Sequence, residues 1–284
     1  MTIRFTKMHG AGNDFVVIDH REPFLSSDAG DAGDANAARA LFARLCDRRR
    51  GVGADGVLLL ERDPELDFAM RYYNSDGAPA EFCGNGARCI ARFALSLGLG
   101  TPTTVRFRTD VGAKHAEARA DGRMALWFGR VDEGESLTLE AAGRAFSGRR
   151  VVAGVPHLVI PVQDVAAIPF ADWARPLRSH ALLGAGGANV DFVARRPDGR
   201  IAMRTYERGV EGETLACGSG AMATALWAVV DHDVAAPVKV RTAGGDDLVV
   251  EFTRAQDHRE AVLVGPAVSV FTGQWREPRD AGER

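Results

Sequence analysis

The sequence predicts an α+β protein made of two half-chains built to one plan. Three observations carry this expectation: strand-like runs far outnumber helical ones, three amphipathic or apolar stretches have helical spacing, and one tyrosine-to-cysteine segment occurs twice. With 284 residues, 46% of them hydrophobic, the chain is long enough to bury the cores of two modest domains.

Strands are expected over residues 15–19 (FVVID), 56–61 (GVLLLE), 67–73 (DFAMRYY), 104–109 (TVRFRT), 123–128 (RMALWF) and 157–162 (HLVIPV). Five more are expected over 189–194 (NVDFVA), 200–206 (RIAMRTY), 237–242 (PVKVRT), 247–252 (DLVVEF) and 260–265 (EAVLVG). Most are β-branched or alternating and are bounded by Gly, Asp or Pro. Helices are expected over 36–49, 86–98 and 218–232, where apolar residues recur at spacings of three and four. The segment SSDAGDAGDANAA reads as a loop into the first helix, and REPRDAGER as a solvated tail.

The repeat is the informative feature. YNSDGAPAEFCGNGARCIARFAL (73–95) and YERGVEGETLACGSGAMATALWA (206–228) each run from a Tyr through a Gly-bearing turn to Cys-Gly-x-Gly-Ala and an apolar helix. A fainter echo pairs GNDFVV (12–17) with ANVDFVA (188–194), each with an Asn before a strand. A pseudo-twofold arrangement follows, with one cysteine from each half.

In both copies the cysteine comes just before helix residues. Free N–H groups and the positive end of a helix dipole stabilise a thiolate or hold a carboxylate, and glycines let a ligand approach the backbone. If the two helix mouths meet, Cys83 and Cys217 face each other across one small pocket. Thiols on opposite faces of an amino-acid α-carbon suit a racemase or epimerase, in which one thiolate removes the α-proton and the other thiol returns one.

The charge balance, 35 basic against 38 acidic residues, gives a formal net charge of −3 with both signs interspersed, so no basic face points to nucleic acid. No apolar stretch reaches the ~18 residues needed to span a bilayer, and the N-terminus lacks a secretory pattern, so a cytoplasmic protein with no membrane partner is expected. Cys46, Cys83, Cys89 and Cys217 form no CxxC pair, and the histidines form no HxH or HExxH pattern, so neither a disulfide scaffold nor a metal site is expected. Cys46 and Cys89, inside apolar helices, read as small core residues.

FTKMHGAGNDFVVID, GVGADG, YNSDG, CGNGARC and ERGVEGETLACGSGA, in this order and spacing, resemble the diaminopimelate epimerase family from Phe5 to about Gly265. The resemblance implies two pseudo-symmetric α+β domains of the diaminopimelate epimerase/proline racemase type, each wrapping strands around a central helix, with the active site in the cleft between them. Residues 1–126 plus 265–284 are then the domain carrying Cys83, and 127–264 the domain carrying Cys217. The implied activity is conversion of LL-2,6-diaminopimelate to the meso form, without pyridoxal phosphate, metal or other cofactor, by a homodimer.

Residue by residue, the resemblance makes Cys83 and Cys217 catalytic and gives the reacting carboxylate to Gly84, Asn85, Gly218 and Ser219. It assigns substrate recognition to Asn13, Asn74, Asn189, Glu207 and Arg208, with Arg208 suited to a bidentate hold on the distal carboxylate. His157, and in part Glu207, would adjust the acidity of the cysteines. Two departures stand out: Val155 occupies a position where many members have Asn, and ERGVEGET is one residue longer than the shorter form.

Three other readings are open from the residues. Proline or hydroxyproline racemases also use paired cysteines, although Glu207, Arg208 and the asparagines fit a substrate with a second amino-acid head. A non-catalytic binding protein of the same fold would have no use for both cysteines. GSGAMA (218–223) loosely fits a nucleotide-binding G-x-G-x-x-A, but the chain lacks the alternating strand and helix context.

Overall fold

The computed structural model describes residues 1–24, 32–255 and 258–277, and the chain divides into two compact units. One unit is Met1–Met124 with the C-terminal segment from Pro266, and the other is Ala125–Gly265.

The first unit opens on a hairpin of β1 (Thr2–Gly10) and β2 (Asn13–Asp19), closed by Ala11 and Gly12 at φ 56° and 85°. Two consecutive positive φ angles match the twist of the strands they join. The turn places Asn13 at the first position of β2, opposite Gly10. Helix α1 (Ala32–Cys46) then crosses to β3 (Gly56–Glu61), which lies parallel to β2. Strand β4 (Phe68–Asn74) runs antiparallel to β3, and its end pairs with the short β5 (Pro79–Ala80). After α2 (Gly84–Ser96) come β6 (Thr104–Thr109), parallel to β4, and β7 (Gly112–Ala118), antiparallel to β6.

The second unit repeats this order. Strand β8 (Met124–Ala141) pairs β9 (Arg144–Ala153), and β10 (Val155–Pro161) follows β9 through Gly154. Helix α3 (Phe170–Arg178) crosses to β11 (Asn189–Arg195), parallel to β10. Strand β12 (Ile201–Glu207) runs antiparallel to β11 and carries the short β13 (Gly212–Thr214). Helix α4 (Gly218–His232) leads to β14 (Val238–Arg241), β15 (Asp247–Ala255) and β16 (His258–Gly265). A pairing of β16 with β8 closes this set of strands on itself around α4. The last strand, β17 (Val268–Arg276), returns to the first unit beside β1.

Strand alternation sorts the side chains. Val16, Ile18, Val57 and Leu59 face α1 with Leu41, Phe42 and Leu45, while Phe15 and Leu58 face the first turn of α2. In the second unit Leu158, Ile160, Val190, Phe192 and Tyr206 pack on Phe170, Ala174 and Leu177 of α3. With both faces covered, β2, β3 and β11 read as continuous apolar runs rather than alternating ones. Helix α4 is enclosed on all sides, since every residue from Gly220 to Ala228 is buried, which explains its run of Ala, Met, Leu and Trp.

The strand registers align the two units position by position. Phe15 opposes Gly56 as His157 opposes Asn189, and Gly56 opposes Asn74 while Val190 and Tyr206, one step on from Asn189 and Glu207, are partners. Asn13 therefore corresponds to Val155, Gly56 to Asn189, Asn74 to Glu207, and Cys83 to Cys217. This corrects the faint echo seen in the sequence. Asn13 and Asn189 sit on non-equivalent strands, and the two short motifs are alike because both begin strands buried on two faces.

Other sequence expectations need adjusting. The first helix starts at Ala32, so residues 32–38 of the expected loop are helical, while 26–31 lie outside the described residues. It ends at Cys46 rather than 49, because the Asp47 carboxylate takes the N–H groups of Arg49 and Arg50 and turns the chain. The second helix runs from Gly84 to Ser96 instead of 86–98. The strand expected at 123–128 extends to Ala141 across a bulge between Asp132 and Glu135. Strands β1, β7, β9 and β17 and helix α3 were not expected. Arg276 ends β17, and residues 278–284 of the expected tail lie outside the described residues.

Leu226, with no exposed surface at the centre of α4, is a direct probe of this enclosure. Leu226→Ala is expected to cost about 2–5 kcal/mol through lost burial and a residual cavity, read as a lowered thermal midpoint.

Candidate active site

Each central helix begins at a cysteine. Cys83 and Cys217 are the N-cap residues of α2 and α4, both extended, at φ −137°, ψ 116° and φ −118°, ψ 112°. An N-cap side chain lies near the unsatisfied N–H groups of the first turn, although Cys83 makes no side-chain cap bond to them. The Cys217 sulfur accepts the N–H of Gly220 at 3.4 Å and lies 3.4 Å from Ser219 Oγ.

In the first unit the Cys83 thiol donates to Asn13 Oδ1 at 3.5 Å, and Asn85 Nδ2 donates to the same oxygen at 3.3 Å. Asn85 Oδ1 accepts from the wholly buried Arg88 at 2.8 Å. The other end of Asn13 donates to Asp55 Oδ2 at 2.7 Å, which gives the GVGADG segment its part in the site. Asp55 is tied by Arg48 to Asp14, and Lys7 completes the cluster, 2.7 Å from Asp14 Oδ2. Burial works to raise the Asp14 carboxyl, but hydrogen bonds from Arg48 and Lys7 outweigh it and hold it down at about 2. Asn74 is exposed at the end of β4.

The second unit has a different set. Its counterpart of Asn13 is Val155, whose side chain cannot hydrogen-bond. His157, Asn189, Asp191 and Thr205 are all buried on the face of the sheet turned to α4. His157 Nδ1 is 2.7 Å from Asp191 Oδ2, and Thr205 Oγ1 donates to Asp191 Oδ1 at 2.6 Å. Asn189 Nδ2 lies 3.3 Å from His157 Nε2, and Asn189 Oδ1 accepts the backbone N–H of Arg208 at 2.7 Å. Glu207 is partly buried and accepts from Thr214 Oγ1 at 2.9 Å, so it does not pair with Arg208, whose guanidinium reaches Gly186 O at 3.5 Å. Burial pushes the Glu207 carboxyl up. Burial also pushes the Cys217 thiol well up, reinforced by the nearby Glu207 and Asp191.

The sequence reading did not single out Asp55, Arg88, Asp191 or Thr205. The signal for Asp191 was present: a carboxylate in the middle of a continuous apolar strand run. Cys46 and Cys89 are core residues, 4% and 0% exposed, with thiols pushed up to about 12 by burial. Among the described residues no group of three or more His, Cys, Asp or Glu is placed to hold a metal, and no helix is long and apolar enough to cross a membrane.

Comparison with known proteins adds to this geometry. The family model described as diaminopimelate epimerase matches residues 5–138 and 150–270. A diaminopimelate epimerase of Aquifex aeolicus is 40% identical over 279 residues, covering 97% of this chain and 98% of that one. Another, of Gemmatimonas aurantiaca, is 39% identical over 285 residues, covering 95% and 98%. Among solved structures, a phenazine biosynthesis protein of the PhzF family from Enterococcus faecalis aligns with a TM-score of 0.72 at 13% identity, covering 98% of this chain and 100% of that one. A hydroxyproline epimerase from Agrobacterium vitis aligns with a TM-score of 0.65 at 17% identity, covering 96% and 92%. These structures share the α+β fold.

The raised Glu207 carboxyl has a stability consequence. A carboxyl raised on folding favours the folded state while it is protonated, and that contribution is lost as pH rises from the ordinary value of 4.5 through the folded one. Glu207→Gln is therefore expected to raise the melting temperature at pH 7, with the difference from wild type shrinking as the pH is lowered towards 4.5. A constant difference across that range would contradict the assignment.

Proposed function

The chain belongs to the diaminopimelate epimerase family, and from that membership we propose that it is an isomerase interconverting LL-2,6-diaminopimelate and meso-2,6-diaminopimelate, with Cys83 and Cys217 as its proton-transferring groups. The observation that carries the two-thiol reading is the matched placement of the cysteines, each at the N-cap of the central helix of its unit. One thiolate removes the α-proton: the C–H bond breaks, an S–H bond forms, and the electron pair passes into the adjoining carboxylate. The second thiol delivers its proton to the opposite face and becomes the thiolate, so the pair ends with its protonation exchanged. In one direction Cys83 is the base and Cys217 the proton donor, and the reverse reaction exchanges these roles.

Carbanion character builds beside the carboxylate, where the first-turn amides of Gly84, Asn85, Gly218 and Ser219 supply donors that need no reorganisation. Asn13, Asn74, Asn189, Glu207 and Arg208 supply the polar contacts that a substrate with two amino-acid heads requires, and Arg208 takes the distal carboxylate. His157 and Glu207 tune the cysteines' acidity. Val155 makes the distal pocket less polar than Asn would. No metal or pyridoxal phosphate takes part in this scheme. A proline-like substrate would leave Arg208 without a role. A nucleotide phosphate at the start of α4 would meet the Asp191 carboxylate, since a Cβ at Gly220 would come within 2.6 Å of it.

The enzyme works in the cytoplasm as a homodimer in this reading. Its four cysteines, all in the thiol form, support the first point. Large apolar side chains exposed along β17, namely Val268, Val270 and Phe271, support the second.

Purified, reduced protein incubated with LL-2,6-diaminopimelate in deuterated water is expected to form meso product carrying α-deuterium, with turnover abolished in Cys83→Ala and in Cys217→Ala. Exchange with proline alone would overturn the substrate, and full activity in either variant would overturn the two-thiol scheme. Sedimentation should give a dimer, and Phe271→Arg should shift it towards monomer; a wild-type monomer would remove the homodimer.

A further inference from the structure

The two units support the first turn of their central helices by opposite means. In the first unit an ideal Cβ on Gly86 would meet Leu58 at 3.2 Å and Phe15 at 3.4 Å, and Phe15 stacks edge-on with Tyr72 at 6.1 Å. In the second, a Cβ on the equivalent Gly220 would meet Asp191 Oδ1 at 2.6 Å and Thr205 Oγ1 at 3.1 Å. The registers make Phe15, Leu58 and Tyr72 the counterparts of His157, Asp191 and Thr205. The same scaffold is thus held by hydrocarbon on one side and by a buried polar trio on the other. Since burying a carboxylate and its polar partners rarely stabilises a fold more than apolar packing of the same shape, packing alone does not account for the polar trio.

The hydrogen bonds fix every donor in the trio and beyond it. A backbone N–H can only donate, so Asn189 must turn its oxygen to Arg208 N and its amide N–H to His157 Nε2. That ring nitrogen therefore accepts, the proton sits on Nδ1, and Nδ1–H donates to the Asp191 carboxylate, which also accepts from Thr205. Asp191 is wholly buried and lies under the residue whose N–H holds the Cys217 sulfur.

We propose that Asp191 is the positioning residue of the Cys217 half of the site: it holds His157 neutral as the Nδ1–H tautomer and thereby keeps the Asn189 amide oriented as a donor. The role rests on the activity proposed above, but the tautomer does not. In the aligned state the second Asn189 N–H can serve only an acceptor such as a carboxylate. In Asp191→Asn the amide oxygen keeps the Thr205 hydroxyl as its donor, which turns the amide N–H to His157 Nδ1; the ring proton then moves to Nε2, and two N–H groups confront each other at Asn189.

Nitrogen-15 spectra of histidine-labelled protein test this, with the His157 signals assigned by their absence in His157→Phe. Wild type is expected to show a neutral ring with the proton on Nδ1. Asp191→Asn is expected to move it to Nε2 and to lower the rate of α-deuterium exchange by about 10²-fold or more, the scale seen when a tautomer-fixing carboxylate is lost. A wild-type ring that is cationic or protonated on Nε2, an unchanged tautomer in Asp191→Asn, or a changed tautomer with unchanged exchange would each overturn the proposal. Should Asp191→Asn not fold, Thr205→Val, which leaves the Asp191 to His157 bond intact, must retain the Nδ1–H form, and loss of it overturns the proposal. Wild type with the expected tautomer but no turnover of diaminopimelate would overturn the substrate assignment and leave the tautomer standing.

Discussion

A helix enclosed by strands has nowhere to hide the amide protons of its first turn, and this constraint organises both units. Four N–H groups at each helix start have no partner within the helix. The fold brings those starts to places where a cysteine, a pair of glycine-flanked amides and the ends of several strands converge. The enclosing strands must then carry apolar residues on both faces, and the third residue of each helix must be glycine, because Leu58 or Asp191 already fills the space a Cβ would need. The local chemistry and the global wrapping are two results of one geometric demand.

Duplication of this plan has not kept the halves chemically alike. The Cys83 side is tied to cations, with the buried Arg88 behind Asn85 and with Lys7 and Arg48 around Asp14. The Cys217 side carries Asp191 and Glu207, which add to burial in holding its thiol protonated. The asymmetry lies in side chains at equivalent strand positions and required no change in backbone path.

How much of this could be read in advance varied with the kind of signal. Strands 56–61 and 104–109 and helix 218–232 were legible residue for residue, because β-branched runs and an all-apolar helix leave little ambiguity. Strand β7 (GAKHAEA) and much of β9 (RAFSGRRVVA) were hidden, since Ala, Gly and charged residues have weak strand propensity and these segments take their conformation from neighbours. Helix α3 did carry the pattern, in Phe170, Trp173, Ala174 and Leu177, but its nine residues and internal Pro176 obscured it. The helix-mouth residues of the candidate site were visible through the repeat. The hydrogen-bond partners that orient them, Asp55 and Asp191, were not, because they come from other strands and turns and only register brings them into place.

The circuit of strands in the second unit also governs how that unit meets other chains. Strand β8 pairs both β16 and β9, the latter on both sides of the bulge between Asp132 and Glu135, so the longer strands of the unit form a circuit from which only the short β13 branches, on β12. An exposed strand edge is a template onto which a foreign backbone can add, and it is the usual seed of cross-chain sheet growth. A strand paired on both sides offers no such template. In the second unit the places where a foreign strand can add are therefore confined to the short β13, paired with β12 alone, and to the outer ends of β8 and β9 beyond the β10 pairing.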